Sequence, residues 1–182
     1  MIVLSGPSAS GKTEVAKKLF QLYGIKRVIT ATTRPMRIHE TNGIDYFFVS
    51  KDEFQKMIKD ELFVEYTEYN NNYYGSLKSE VADDKCIAIE PNGMRSYISL
   101  NDPRIVVFFL NVDENIRYQR MIDRGDNPKC AKQRIKEDKI RFTKENLPNV
   151  DVFVDSQNYN LEEVAEYVYR KYQKILEERE NY

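Results

Sequence analysis

The sequence predicts an α/β sandwich with a mainly parallel sheet, and three observations lead to this fold class. First, the apolar run 1–4 is followed directly by the motif G-x-x-x-x-G-K-[ST] over residues 6–13, which is typical of a loop between a strand and a helix. Second, the runs 86–89, 105–110 and 150–154 are largely apolar without strict alternation, as in strands buried on both faces of a parallel sheet. Third, helical patterns separate these runs, so strands and helices alternate along the chain.

The motif at residues 6–13 predicts a phosphate-binding loop. Gly6 and Gly11 let the backbone curl so that successive N–H groups point into one anion-sized hollow, and the following helix adds the positive end of its dipole. Lys12 would supply charge to the outer phosphates of a nucleotide, and Thr13 would offer a hydroxyl to a nucleotide-bound Mg²⁺. The residues expected to bind the phosphates are Gly6, Ser8, Ala9, Ser10, Gly11, Lys12 and Thr13. The alternative is a glycine-containing turn that binds nothing, and the flanking strand and helix disfavour it.

The composition restricts the classes of protein to consider. The 182 residues suit a single domain, and 28 Lys and Arg against 29 Asp and Glu give a formal net charge of −1. We therefore expect no partner among nucleic acids or membranes, and any basic site must be local. No apolar run reaches membrane-spanning length and the chain opens on a strand-like run, so we expect a cytoplasmic protein. A monomer or a weak homodimer is the expected state.

The cysteines and the histidine exclude several kinds of site. Cys86 and Cys130 are far apart and belong to no C-x-x-C motif, so we expect reduced thiols rather than a disulfide framework or a thiolate metal site. His39 is the only histidine. A zinc centre and a His-based catalytic triad are therefore not expected.

The first elements after the loop are a helix and two short strands. The helix is expected to end at Gly24, and a short strand is expected at 27–29. A polar loop or small lobe is expected at 30–43, followed by a second strand at 46–49. Apolar residues fall near helical spacing at Val15, Ala16, Leu19, Phe20 and Leu22.

A second helix and a hairpin follow. Ser50 and Glu53 match a capping box, which predicts a helix to about Lys59. Partial alternation over 62–76, interrupted by three asparagines at 70–72, predicts a small hairpin.

The last third of the chain predicts three more helices. Helical patterns run from about 114 to 122 and from about 129 to 144, and Asn160 with Glu163 matches a capping box at the start of a final helix. The apolar face of that helix is formed by Leu161, Val164, Ala165, Val168, Tyr172, Ile175 and Leu176, and we interpret it as core packing.

A second group of residues suits a phosphate monoester. Arg34 and Arg37 place two guanidiniums on a loop that contains Pro35, and Tyr46 and Tyr74 offer hydroxyl donors. Because arginine can bind phosphate oxygens through two parallel hydrogen bonds, this group predicts a site for a phosphorylated substrate.

These motifs, in this order, resemble those of guanylate kinases, the P-loop enzymes that move the γ-phosphoryl of ATP onto GMP. The resemblance covers roughly residues 1–155. Besides the phosphate loop it rests on Thr32-Thr33-Arg34 with Arg37, Gly43 with Asp45-Tyr46, Phe63-Val64-Glu65, and Tyr73-Tyr74-Gly75-Ser76. It implies one domain over 1–182, a P-loop kinase sandwich with an inserted small mixed β lobe for GMP and a helical lid. The implied boundaries are about 1–30, 84–115 and 145–182 for the core, 31–83 for the lobe and 116–144 for the lid.

The resemblance implies ATP and GMP as substrates and Mg²⁺ as the cofactor, bound with ATP. The implied GMP-binding residues are Thr30, Arg34, Arg37, Tyr46, Glu65, Tyr74, Ser76 and Glu90. Among these, Glu65 and Ser76 would bind the base, since a carboxylate can accept from both N1–H and the 2-amino group of guanine. An exposed charge on a strand is the alternative for Glu65.

The segment 117–142 carries nine Lys or Arg and four Asp or Glu. A solvated helical face is one interpretation. The resemblance implies instead a closing lid whose tip at 125–128 interrupts the helical pattern, with arginines that meet the phosphates of ATP. The implied catalytic residues are Lys12, Arg34, Arg120, Arg124 and Arg134.

Several positions depart from the family pattern. Ala9 stands where a glycine is usual, Glu14 stands where Ser or Thr is usual, Glu90 keeps one carboxylate of an Asp-x-Asp, and Asp155-Ser156-Gln157 replaces Asn-Asp-Asp near the donor base. The preference for the donor base therefore stays open. Two alternatives to the GMP kinase also remain: a guanylate-kinase-like module that binds phosphopeptides without catalysis, and a kinase for another phosphorylated small molecule such as a ribose bisphosphate.

Overall fold

The computed structural model describes residues 1–181 and contains two sheets. The larger sheet has five strands in the order β2-β7-β1-β8-β9, and all of its neighbouring strands pair in parallel. Its strands are β1 (Ile2–Ser5), β2 (Lys26–Arg27), β7 (Lys85–Ala88), β8 (Val106–Asn111) and β9 (Val152–Asp155). The predicted α/β sandwich with a mainly parallel sheet is confirmed.

Helices cover both faces of this sheet. Successive residues of β1 point to opposite sides, so the strand offers apolar side chains to the helices on each face. Ile2 and Leu4 pack into a core with α1 (Lys12–Tyr23) and α6 (Leu161–Glu180). Met1 and Val3 pack into a second core with α3 (Pro91–Ile98). The central strand thus ends with both faces buried, directly before the phosphate loop.

The smaller sheet is mixed, as predicted for the lobe. Its order is β4-β3-β6-β5, with β3 parallel to β4 and antiparallel to β6. Its elements are β3 (Ala31–Thr32), β4 (Phe47–Phe48), α2 (Lys51–Lys59), β5 (Phe63–Tyr69) and β6 (Asn72–Leu77). Asn70 and Asn71 both have positive φ, as a tight hairpin turn requires, and the Ser50–Glu53 capping box is present.

Two helices, α4 (Glu114–Asp123) and α5 (Pro128–Arg141), form the segment in which the lid was expected. Gly125 has a φ of 92°, and the Asn127 side chain accepts a hydrogen bond from the Lys129 N–H at the start of α5. The predicted interruption of the helical pattern is confirmed.

Two expectations were wrong in detail. The strand expected at 27–29 lies at Lys26–Arg27, whereas β3 belongs to the small lobe, which was one of the two interpretations of residues 30–43. The strand β9 is not buried on both faces, since it lies at the sheet edge and Phe153 is 62% exposed. Helix α3 was not predicted. Over residues 1–181, no helix is long and apolar enough to cross a membrane.

Candidate functional site

The phosphate loop curls between β1 and α1. Gly6 has a φ of 144°, and a Cβ there would lie 2.6 Å from the carbonyl oxygen of Leu110, so the position requires glycine. Gly11 is left-handed with a φ of 98°, and the Ser10 N–H donates to the Pro7 carbonyl at 3.2 Å. The loop therefore adopts the compact turn that the motif predicts.

Lys12 folds back over this loop. Its ammonium group donates to the carbonyls of Gly6 and Pro7. Burial lowers the pKa of Lys12 to about 8, while Asp138 and Glu90 act in the opposite direction. Among residues 1–181, the buried hydroxyl of Ser10 has no hydrogen-bond partner, which leaves a donor in the loop available to a ligand.

A buried ion pair from α4 and α5 fastens the loop to the rest of the domain. Arg117 Nη1 lies 2.9 Å from Asp138 Oδ2, and both side chains are only 6% exposed. The same carboxylate accepts the Ser8 N–H at 2.8 Å, and Arg117 donates to the Ser8 carbonyl at 3.4 Å. The sequence predicts Arg117 only as part of a basic segment, because no local pattern links it to an aspartate 21 residues away.

The three arginines expected in the lid have different surroundings. Arg120 donates to the carbonyl of Ala9 at 3.2 Å and therefore reaches the phosphate loop. Arg124 and Arg134 instead bind Asp126 at the tip between the helices. Their guanidinium nitrogens lie 2.7 and 3.0 Å from Asp126 Oδ2. Both guanidinium groups are about half exposed, at 49% and 51%.

A cavity of about 480 Å³ lies between the loop, α4 and the start of α6. The residues that line it include Ser10, Val15, Lys18, Arg120, Ser156, Tyr159 and Asn160. The cavity adjoins the amino-terminal end of α1, where the positive end of the helix dipole lies. A nucleotide whose phosphates occupied the loop could therefore place its base here.

The residues expected to bind the acceptor phosphate come together in the small lobe. The Arg34 guanidinium lies over the Tyr46 ring at 5.4 Å, and the Tyr46 and Tyr74 rings are 6.3 Å apart. Arg34 also binds Glu40 at 2.6 Å, and this hydrogen bond holds the pKa of the Glu40 carboxyl below its usual range. Glu40 was missed in the sequence, although it follows Arg34 by only six residues.

Two further expected residues lie at the edge of this group. Arg37 is exposed, and its backbone N–H donates to Glu40 at 2.8 Å. Thr30 contributes a carbonyl that accepts the Phe47 N–H at 2.9 Å.

Glu65 and Ser76 face each other across the β5–β6 ladder. They are cross-strand partners, and the Ser76 hydroxyl donates to Glu65 Oε1 at 2.7 Å. Ser76 is fully buried, whereas Glu65 lines a cleft of about 710 Å³ together with Thr13 and Tyr46. One cleft therefore connects the phosphate loop to the carboxylate expected to bind a base.

Glu90 pairs with the expected lid and not with another expected acceptor residue. It is the N-cap residue of α3, and its carboxylate accepts from Arg141 of α5 at 3.0 and 3.1 Å. The structure thus joins Glu90 to the second helix of the expected lid.

Comparison with known proteins identifies the family. The family model described as "Guanylate kinase" matches residues 1–176. The chain belongs to the guanylate kinase family. A guanylate kinase of Mycoplasma genitalium is 35% identical over 154 residues, which cover 78% of this chain and 63% of that protein. The chain thus spans less than two thirds of the length of this curated relative.

Solved structures agree on the fold of the family. A guanylate kinase from Anaplasma phagocytophilum superposes with a TM-score of 0.61 at 21% identity, over 96% of this chain and 84% of that one. A gluconokinase from Sinorhizobium meliloti gives a TM-score of 0.52 at 14% identity, over 97% of this chain and 93% of that one. At these identities the likeness concerns the fold alone.

Proposed function

We propose that this protein transfers the γ-phosphoryl group of ATP to GMP, giving ADP and GDP. The observation that carries the proposal is the cleft that Thr13 and Glu65 both line, because it joins a phosphate-binding loop to an acidic group suited to guanine. Membership of the guanylate kinase family supports the same reaction.

Guanine fits the Glu65 carboxylate. Its N1–H and 2-amino group would both donate to this carboxylate, whereas adenine has no N1–H. Adenine would therefore leave a polar group of the site without a partner, which is an effective basis for rejection.

The phosphate of GMP fits the cluster of Arg34, Tyr46 and Tyr74. Arg34 would exchange Glu40 for phosphate oxygens, and Arg37 would approach from its exposed position. Strand β3, which leads into the loop of Arg34, pairs with the strand of Tyr74. The lobe can therefore hold the phosphate as a unit.

Mg²⁺ fits the donor side of the site. Thr13 belongs to the first turn of α1 and lines the cleft. Its hydroxyl and phosphate oxygens of ATP would be ligands of the ion, since proteins usually bind Mg²⁺ through few side chains together with substrate phosphates. When bound, the ion neutralises charge on the β- and γ-phosphates.

The chain's own residues would position the phosphates and balance their charge. Lys12 would leave the loop carbonyls to bind the outer phosphates, and Arg120 is already beside the loop. Arg124 and Arg134 would reach the phosphates only after leaving Asp126, so their role requires closure of the lid. Phosphoryl transfer needs little else from the protein than this positioning.

The test is ADP release with ATP and a panel of acceptors, namely GMP, AMP, UMP, dTMP and ribose phosphates. We expect turnover with GMP to exceed that with every other acceptor. Preference for a ribose phosphate would replace the proposal with a different kinase activity, and ADP release with none of them would favour a binding module.

A further inference from the structure

The ion pair of Arg141 and Glu90 joins α5 to the end of strand β7. Arg141 Nη1 donates to both oxygens of the Glu90 carboxylate, at 3.1 and 3.0 Å. The Arg141 and Glu90 side chains are 49% and 66% exposed. Because ion pairs this exposed contribute little to the stability of a fold, the position of the pair is its more informative property.

Glu90 lies where the cleft meets the phosphate loop. Strand β7 pairs in parallel with β1 as far as Ala88 opposite Leu4, and the Ile89 N–H then donates to the Leu4 carbonyl at 2.9 Å. Ala88 and Ile89 both line the cleft between the phosphate loop and the small lobe. Leu4 is two residues before Gly6, so Glu90 follows the cleft-lining residues at the place where the phosphate loop begins.

Helix α5 brings Arg141 to the same place. Asp138 of this helix accepts the Ser8 N–H of the phosphate loop at 2.8 Å. Arg141 follows Asp138 by three residues, so the two side chains leave the same face of the helix. This face therefore contacts the phosphate loop through Asp138 and the end of β7 through Arg141.

The ion pair leaves one edge of the Arg141 guanidinium free. Only Nη1 donates to Glu90, although Nε and Nη2 also carry N–H groups. Nη2 lies 3.9 Å from Glu137 Oε2, which is too far for a hydrogen bond. Within residues 1–181, the Nε–Nη2 edge thus has no acceptor, and such an edge can bind two oxygens of one phosphate through parallel hydrogen bonds.

We propose that Arg141 is a further catalytic residue: its free edge binds the phosphoryl group in transit between ATP and GMP, and Glu90 positions it by holding Nη1. This inference rests on the proposed GMP kinase function. In that reaction the bond between the γ-phosphorus and the β,γ-bridging oxygen breaks and its electron pair stays on ADP, while an oxygen of the GMP phosphate bonds to the phosphorus. The charge on the equatorial oxygens of the phosphoryl group is what the Arg141 edge would bind.

The same assignment explains how a carboxylate can lie beside two phosphorylated substrates. An unpaired Glu90 would repel the phosphates of ATP and GMP. Paired with Arg141, it adds no net charge and directs the remaining guanidinium donors. Glu90 is then a positioning residue that acts through Arg141, and it makes no contact with GMP.

The first test is Arg141→Gln, which removes the charge and the free edge. We expect kcat to fall by about tenfold to a hundredfold, as for loss of a hydrogen bond to a charged group, while the KM values for ATP and GMP change by less than about threefold. The melting temperature should hardly move, because the pair is exposed. Arg141→Lys keeps the charge without the two-donor edge and should recover only part of kcat.

The matched control is Lys139→Gln on the same helix. The Lys139 ammonium pairs with Glu114 at 2.8 Å and its side chain is 62% exposed, so this variant removes an equivalent charge from α5. It should keep the kcat of the unaltered protein.

Glu90→Gln tests the positioning role. A neutral amide holds the guanidinium less firmly, so kcat should fall by about threefold to tenfold with an unchanged KM for GMP. The double variant Arg141→Gln with Glu90→Gln should be no slower than Arg141→Gln alone, since Glu90 acts only through Arg141.

Three outcomes would overturn the inference. These are a kcat of Arg141→Gln equal to that of Lys139→Gln, losses that multiply in the double variant, and a raised KM for GMP in Glu90→Gln, which would assign the carboxylate to GMP itself. In each case the unaltered protein would still phosphorylate GMP; if it does not, the proposed function itself fails.

Discussion

The phosphate loop and the small lobe both gather charged side chains, but they hold them through contacts of very different sequence separation. At the loop, Asp138 accepts the N–H of Ser8 across 130 residues, and Arg117 reaches the Ser8 carbonyl across 109. In the lobe, Arg34 and Glu40 are six residues apart, and Glu65 and Ser76 are eleven apart.

This difference separates the two sites in their dependence on the fold. The loop side uses an ion pair that is 6% exposed and needs α4 and α5 in place, so a change there should cost stability. Apart from the buried Ser76, the lobe side uses groups that line a cleft or lie near the surface, so a change at one of these should cost binding rather than stability.

The largest expected effect is that of Lys12→Ala on turnover. Loss of the ammonium removes charge stabilisation in the transition state, and kcat should fall by a factor on the order of 10² to 10³ or more while the protein stays folded. Steady-state kinetics with ATP and GMP, together with a circular dichroism spectrum, measure this. The control is Lys174→Ala, an exposed lysine on α6 that should behave like the unaltered protein. Near-normal activity of Lys12→Ala would reject the assignment of the loop.

Asp138→Ala tests whether the loop side depends on the buried pair. Removal of the carboxylate leaves the Arg117 charge buried without its partner, and the free energy of unfolding should fall by about 3–5 kcal/mol. Urea denaturation measures this loss. The double variant Arg117→Leu with Asp138→Ala removes both charges and should recover most of the stability. If the single and double variants lose the same stability, the pair is not what fastens the loop.

Glu65→Gln is the corresponding change on the lobe side. A neutral amide cannot accept both guanine donors, so kcat/KM for GMP should fall by about tenfold to a hundredfold, as for loss of a hydrogen bond to a charged group. The denaturation midpoint should hardly move. Glu68→Gln, an exposed glutamate on the same strand, is the control. An unchanged preference for GMP over inosine monophosphate would contradict the role of Glu65.

The smallest expected effect is that of Asp126→Asn at the tip between α4 and α5, where charges pair over short separations as in the lobe. The change releases Arg124 and Arg134, and the KM for ATP should fall by about fivefold or less because exposed ion pairs are weak. Asp123→Asn, also near the tip, is the control, and raising the salt concentration should diminish the difference. A rise in the KM for ATP would mean that Asp126 positions the two arginines instead of restraining them.

The features that could be predicted from sequence are those that depend on near neighbours. The Ser50–Glu53 and Asn160–Glu163 capping boxes are both present as expected, and the hairpin turns at Asn70 and Asn71. The same holds for the phosphate loop, whose compact turn follows from its glycines. The roles of the individual site residues remain predictions.

Helix α3 shows why local patterns were insufficient. Pro91 and Gly93 lower the helical signal of the segment, yet Pro91 occupies the first turn, where proline is tolerated. A Cβ at Gly93 would lie 2.2 Å from the Ile89 side chain, so the glycine allows α3 to pack closely against the end of β7. The packing that favours the helix is that of Met94 and Tyr97 against Val3 and Val107 of the sheet, and no local spacing reveals it.

By itself, the sequence determined most of the strands and helices, the curled phosphate loop and the hairpin that opposes Glu65 to Ser76, because these depend on backbone preferences and contacts within about a dozen residues. Only the tertiary structure decided that Asp138 and Arg117 fasten the loop and that Asp126 holds Arg124 and Arg134. The physical reason is burial. The strength of a charged group's interactions depends on which distant side chains exclude water from it, and only the folded chain brings those side chains together.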